Sequence, residues 1–439
     1  MNEPPSLHAS TVESLSARVE ERIVGPCRVL MLKTLVQAVV SWRGSFLAYP
    51  NVADGDRLVQ ALAVQLLDKG TRLRDRFVLA EALENRGAQL QFTSEPLRVA
   101  FQGRALRDDV PEVLQIMAEE LRQPLFDGAE FDKAKAQYQA MLQRSLENTA
   151  TQALAALSRQ IYDTAHPNYL SPTRQVVARL DALPVEQVRA YHARHFGARE
   201  LLLVFVGDLD VEAVEQAVRD AFGDWPAHEA PPAYATTAEP REPGQDRVLM
   251  PGKRNLDVRM GHALPVRRQD EDYLPLYLAN YVLGGNFSAR LMAKVRDEMG
   301  LTYGIRARLS GITAAYEGHW VVGVTLSQDK LEKGIEATLD EVRRFVDEGP
   351  TANELQDKKT TVTGGFKVGL ATTGGLASTL YQHAIQGFDV GYVDRFPLEV
   401  DAVTLDQVRD AIHRYFEPET FQTALAGMFP EMEDDHSER

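Results

Sequence analysis

The chain has 439 residues, 44% hydrophobic and 25% charged, with a formal net charge of −15. That is ordinary globular composition, with length for roughly two to four domains. No long Lys/Arg cluster interrupts the acidity, so the electrostatic footprint of a nucleic-acid binder is absent and anionic lipid is repelled. The single cysteine, Cys27, excludes an internal disulfide framework and a multi-cysteine zinc site, and reads as a small apolar filler.

The opening residues, MNEPPSLHAS, lack the basic and apolar regions of a signal peptide. No segment approaches the roughly 20 apolar residues that span a bilayer; the longest candidate, Val29 to Trp42, is interrupted by Lys33, Thr34 and Gln37. The expectation is a soluble, cytoplasmic protein. Strands are predicted at 28–32 and 38–48, a helix at 57–68, a second helix at 77–85, then Gly87 and a strand at 90–93. A helix at 185–195 leads into LLLVFVG, a fully apolar strand at 200–206. Residues 224–245, rich in proline, alanine and glutamate, read as an exposed linker. Beyond it come strands at 247–250 and 256–264, helices at 275–283 and 289–299, Gly300, and a strand at 301–309. The last residues, EMEDDHSER, read as a solvated acidic tail.

The order repeats. LDALPVEQVRAYHARHF, from Leu180, and VDAVTLDQVRDAIHRYF, from Val400, match at one constant offset. Asp181 falls on Asp401, Gln187-Val188-Arg189 on Gln407-Val408-Arg409, Phe196 on Phe416 and Gly207 on Gly427. Two amphipathic helices alike by chance would not keep one offset so far. Helices and strands mix without regular βαβ alternation, so the class is α+β. The expected organisation is two homologous lobes, each a mostly antiparallel sheet flanked by helices: 1–223, the linker 224–245, 246–430 and the tail 431–439.

The window for chemistry is GGNFSARLMAKVRDEMGLTYGIRARL, from Gly284 to Leu309. Gly284 and Gly285 permit close approach, Ser288 suits an N-cap, and Gly300 suits the left-handed turn after the helix. Leu291, Met292, Val295 and Met299 share one helix face. Leu301, Tyr303, Ile305, Ala307 and Leu309 are predicted on one strand face. Arg296, in the last helical turn, and Tyr303 can then meet at the helix–strand junction, where guanidinium and phenol would hold a peptide carbonyl and the charge it gains under attack. Taken alone, the simpler reading is an arginine complementing the helix dipole and a core tyrosine.

These motifs, in this order, resemble the insulinase/pitrilysin family of zinc peptidases, which includes mitochondrial processing peptidase and bacterial heterodimeric relatives. The resemblance rests on Gly284-Gly285, Ser288 to Leu291, Arg296 to Tyr303 and Gly300 to Tyr303, and extends to Lys69-Gly70-Thr71, Pro124-Leu125-Phe126-Asp127 and Val206-Gly207-Asp208. It implies that a catalytic chain carries His-x-x-Glu-His on a first-half helix, with two zinc-binding histidines and a glutamate that activates water. A third ligand, a glutamate, would follow some seventy to eighty residues later. The Arg–Tyr pair would face the zinc from the second half.

Counting back from Lys69-Gly70-Thr71, the motif positions here hold Ala61, Val64 and Gln65, and from Lys133 to Leu146 there is no aspartate or glutamate. His192 and His195, one turn apart without a useful carboxylate, read as surface helix residues, and His262, His319 and His383 as packed or hydrogen-bonded. No metal site is expected in this chain. The resemblance therefore implies a non-catalytic, substrate-gripping subunit resembling the mitochondrial processing peptidase alpha subunit. It would form a heterodimer with a His-x-x-Glu-His chain that holds the zinc, act on unfolded peptides, and contribute Arg296 and Tyr303 to the partner's active site. A structural core subunit without a role in hydrolysis, and a divergent independent metallopeptidase, are the alternatives. Neither nucleic acid nor membrane is an expected partner.

Overall fold

The chain is seen as a computed structural model that describes residues 14–35, 38–48, 50–51, 55–228 and 234–429. The first ten residues and the acidic tail lie outside them. Eleven described strands form two sheets. The first contains β1 (Val19–Val24), β2 (Cys27–Lys33), β3 (Val39–Leu47), β4 (Gln89–Ser94), β5 (Arg98–Leu106) and β6 (Leu202–Gly207), in the order β1-β2-β6-β3-β5-β4. The second contains β7 (Gln245–Leu249), β8 (Asn255–Leu264), β9 (Gly304–Ser310), β10 (Gly318–Ser327) and β11 (Gln422–Gly427), in the order β7-β11-β8-β10-β9. Only β2–β6 and β7–β11 pair in parallel. The fold is α+β, as expected.

The sequence repeat is a structural one. Helix Val185–His195 leads to β6 as Leu405–Tyr415 leads to β11. Both strands end on a glycine with the same unusual backbone, φ +152° at Gly207 and +150° at Gly427. A Cβ would stand 2.1 Å from the Val39 carbonyl oxygen at Gly207 and 2.9 Å from that of Asn255 at Gly427. Close approach of strand to strand explains why glycine recurs at this position.

Both sheets bury apolar side chains on both faces, which is why the central strand β6, LLVFVG, reads as an unbroken hydrophobic run. Val29, Met31, Trp42, Leu203 and Phe205 face the helices of the first half. The alternate residues Leu30, Leu32, Leu202, Val204 and Val206 pack instead on Ala377, Leu380 and Tyr381, from the second-half helix Thr373–Ile385. In exchange, the first-half helix Thr149–Ile161 lies on β8 and β11, where Ala156 and Leu157 meet Ala263, Val321 and Ala424. Its first residue is tied down: the Thr149 hydroxyl donates to the Asp257 carboxylate at 2.7 Å.

Two expectations are corrected. Residues 229–233 of the expected linker lie outside the described residues, and the rest of 224–245 is not simply exposed: Trp225 is buried on Phe46 and Phe222. The Ala238 amide donates to Glu317 at 3.0 Å, and Gln422 donates to the Glu242 carbonyl at 2.6 Å. An extended, proline-rich path cannot form a helix, yet it can lie flat on a surface that supplies its hydrogen bonds. The strand expected at 301–309 begins only at Gly304. No helix among the described residues is long and apolar enough to cross a membrane.

Leu380 is buried between its helix and the inner face of the first sheet. Leu380→Ala is expected to cost about 2–5 kcal/mol, read as a lower urea midpoint and faster proteolysis near residue 380. An unchanged midpoint would show that the exchanged helix contributes little.

Candidate functional site

Helix Asp56–Gln65 carries Ala61, Val64 and Gln65. Opposite stands helix Gly128–Leu146, N-capped by Asp127, whose carboxylate accepts from the Ala129 and Glu130 amides. Gln65 donates its amide to Gln137 at 3.0 Å across the gap. Gln137, 72 residues from Gln65, is not marked by the sequence, since an amphipathic-helix glutamine becomes notable only once its partner stands opposite. Two neutral carboxamides, a methyl and an isopropyl group offer zinc no imidazole, thiolate or carboxylate, so the donor set does not fit the metal. Among the described residues no group of three or more His, Cys, Asp or Glu could hold a metal ion. Ala61 instead lines a cavity of about 350 Å³ with Arg57, Glu95, Tyr138 and Leu142. Burial pushes the Arg57 guanidinium down from its ordinary pKa, and it donates to the Pro167 and Tyr169 carbonyls at 2.9 and 3.1 Å.

The motifs at 69–71 and 124–127 are one structure. Thr71 bridges Pro124, the Leu125 amide donates to the Gly70 carbonyl at 2.9 Å, and the Thr71 hydroxyl donates to Glu119. Gly70 takes φ +120°, which an L side chain rarely adopts.

In the second half, helix Tyr273–Asn280 widens into a π turn at Tyr281–Gly285, and a second π segment spans Met292–Glu298. Such widened turns recur at functional sites. Gly284 is required by contact, because a Cβ there would lie 2.4 Å from the Ala307 backbone nitrogen. Ser288 does not cap the helix as expected. Its hydroxyl accepts from the Lys358 ammonium at 2.8 Å, and that ammonium also reaches Asn286 at 3.0 Å and the Ser288 carbonyl at 3.1 Å. The segment before Arg296 is further held by Arg290, bidentate on Glu354 at 2.6 and 2.7 Å. Those hydrogen bonds hold the Glu354 pKa down to about 2.

Gly300 makes the expected left-handed turn at φ +61°. Leu301, Ile305 and Ala307 turn into the core, but Tyr303 does not share their face: it is 89% exposed. The cause is Thr302. Its hydroxyl donates to the Thr325 carbonyl at 2.6 Å and accepts from the Gly304 amide at 3.1 Å, so the β9–β10 ladder starts at Gly304 and Tyr303 is free of the strand alternation. The Arg296 guanidinium carbon lies 5.6 Å from the Tyr303 ring centre and 4.7 Å from that of Phe287. Arg296 also pairs with Asp297 at 3.0 Å, a surface pair of about 0–1 kcal/mol, weak enough to be exchanged for a ligand. Guanidinium and phenol thus stand together at the surface, able to donate to one oxyanion or carbonyl.

The described histidines make no centre. His192 is half-buried, correcting the surface reading; its Nε2 donates to the Leu121 carbonyl at 2.8 Å, and burial takes its pKa down to about 4. His195 is half-buried against Tyr191. His262 contacts the Ala263 carbonyl at 2.7 Å, and His319 meets the Tyr162 hydroxyl at 2.7 Å. His383 packs on Tyr392 and Phe366.

Two family profiles match in tandem, Insulinase (Peptidase family M16) over residues 62–171 and Peptidase M16 inactive domain over residues 182–362. The chain belongs to the insulinase, or M16, peptidase family. Among M16 relatives, the non-peptidase homolog YmxG of Helicobacter pylori is 22% identical over 84% of each chain. An uncharacterized zinc protease of Streptomyces coelicolor, SCO5738, is 22% identical over 78% of this chain and 75% of its own. In fold, the chain is similar to a peptidase M16 inactive domain from Pseudomonas fluorescens, at TM-score 0.83 and 21% identity over 93% of this chain and 98% of that one. A protease from Helicobacter pylori superposes at TM-score 0.78 and 13% identity, covering 93% and 99%.

If Ala61, Val64, Gln65 and Gln137 occupy the M16 metal positions, the combined variant A61H/V64E/Q65H/Q137E is expected to retain zinc stoichiometrically after dialysis, by elemental analysis, while the parent retains none. A folded variant without zinc would show that these four positions do not converge as a metal site.

Proposed function

We propose that this M16 chain is a non-catalytic subunit that grips peptide for a separate zinc-bearing M16 chain. The observation that carries the reading is an asymmetry. The helix pair where M16 enzymes bind metal is joined here by neutral glutamines, whereas Arg296 and Tyr303 converge, with the phenol almost wholly in solvent. A tyrosine so exposed costs apolar burial and contributes nothing to the core. Its retention beside a positioned guanidinium is consistent with work on a ligand outside this chain.

In the heterodimer the partner's His-x-x-Glu-His motif supplies zinc and base, so the cofactor belongs to the partner and none to this chain. Arg296 and Tyr303 reach across the interface and donate to the carbonyl under attack, where such donors stabilise developing charge. The substrate is an unfolded peptide in extended form.

The test uses both chains together. Arg296→Ala and Tyr303→Phe are each expected to lower peptide turnover by about 10²–10³-fold, while leaving the affinity between the chains within about threefold. Normal turnover in both variants would remove the assigned role. A stable complex lacking peptidase activity altogether would favour a purely structural subunit.

A further inference from the structure

Each exchanged helix covers only part of the face it lies on. Helix Thr373–Ile385 packs chiefly on β3 and β6, away from β5 and β4; helix Thr149–Ile161 packs chiefly on β7, β11 and β8, meets β10 at Val321, and lies away from β9. Strand alternation and register identify the side chains on and beside the open areas. In the first sheet Arg43 pairs across to Gln102 and then Gln91, and the next row runs from Ser41 to Arg104 to Gln89. In the second, Arg306 on β9 stands level with Gly323 on β10 and Arg259 on β8, and Arg308 stands level with Val321.

These faces are cationic in a chain whose net charge is −15. They carry Arg43, Arg98, Arg104, Arg259, Arg306 and Arg308, of which Arg98 pairs with Glu200 at 3.2 Å. Asp257 is already engaged by Arg259, Thr149 and Thr325, and Glu95 is a half-buried neighbour of Arg43. Neither covering helix contains an aspartate or glutamate. Arg104, Arg306 and Arg308 are exposed, and among the described residues none has an ion-pair or hydrogen-bond partner. Arg259 lies over Gly323, where a Cβ would stand 3.0 Å from its guanidinium, and is paired with Asp257 at 3.1 Å. Protection of an edge strand from aggregation explains arginines on β9 alone, not those on the interior strands β3, β5 and β8.

From this distribution we infer that the peptide gripped by this subunit is acidic, with carboxylates at alternating positions. This rests on the peptide-gripping role proposed above and adds the substrate class. Arg306 and Arg308 are two residues apart on one face, a separation of about 6.6–6.8 Å that equals the side-chain repeat of an extended peptide. β9 is the last strand of its sheet, and its first residue follows Tyr303 directly, so a peptide whose carboxylates meet Arg306 and Arg308 would bring a carbonyl to Arg296 and Tyr303.

Fluorescence anisotropy on the full chain tests this with labelled peptides of one length carrying glutamate, glutamine or lysine at alternating positions. The glutamate peptide is expected to bind at least about tenfold more tightly than the lysine peptide. The preference should shrink as salt rises from about 0.1 M to about 1 M, where the screening length falls from about 10 to about 3 Å. The double variant R306Q/R308Q should lose the preference, and R306K/R308K should keep most of it. Lysine peptide binding as tightly as glutamate peptide, or an oligonucleotide of equal charge binding more tightly, would overturn the inference. Equal binding of all three peptides would overturn the acidic class but leave the gripping role; binding of none would overturn both.

Discussion

The exchange of one helix between the halves is the constraint on which the rest depends. Each sheet presents an apolar inner face that its own half does not cover, and Leu30, Leu32, Leu202, Val204 and Val206 would stand in water without the helix bearing Leu380 and Tyr381. Burying such side chains contributes about 1.5–3 kcal/mol each, so neither half can leave its neighbour cheaply. The same exchange fixes what remains open. A single helix is too narrow to roof a sheet of five or six strands, and the least covered strands are β4 with β5 in the first sheet and β9 in the second. Exposed Arg104, Arg306 and Arg308 occupy these remainders.

The two halves share a topology but have opposite local chemistry. In the first, helices Asp56–Gln65 and Gly128–Leu146 meet through the neutral Gln65–Gln137 pair beside a small cavity. In the second, widened helical turns, a glycine packed against β9 and two tethers, Lys358 and the Arg290–Glu354 pair, hold the segment that presents Arg296. Tethers of this kind restrict a loop that would otherwise sample many states, and that is what a donor aimed at a developing charge requires.

Much of this was legible in the residues. Fully apolar runs such as LLLVFVG announced strands buried on both faces, and the constant offset from Leu180 and Val400 announced the duplicated topology, down to the matching backbone of Gly207 and Gly427. The helix exchange was not legible: the apolar residues of 373–385 say that the helix is buried, but not against which sheet. Tyr303 escaped for a local reason, since period-two alternation assigns it to the core face and only the Thr302 hydroxyl, by taking the Thr325 carbonyl, delays the strand. Gln137 escaped because a glutamine in an amphipathic helix carries no signal until its partner Gln65 is seen across the gap. The arginines of the open faces were visible singly, but their convergence depends on register, which pairs Arg306 with Gly323 and Gly323 with Arg259.

The central claim is that Tyr303 meets a peptide bond held in another chain's zinc site. Replacing Tyr303 by a photoreactive benzoylphenylalanine and irradiating the two-chain complex with a slowly cleaved peptide addresses it most directly. The account predicts cross-links to the peptide next to the bond to be cut, dependent on the zinc-bearing chain. Cross-links confined to the partner's surface, or none in an assembled and active complex, would contradict it.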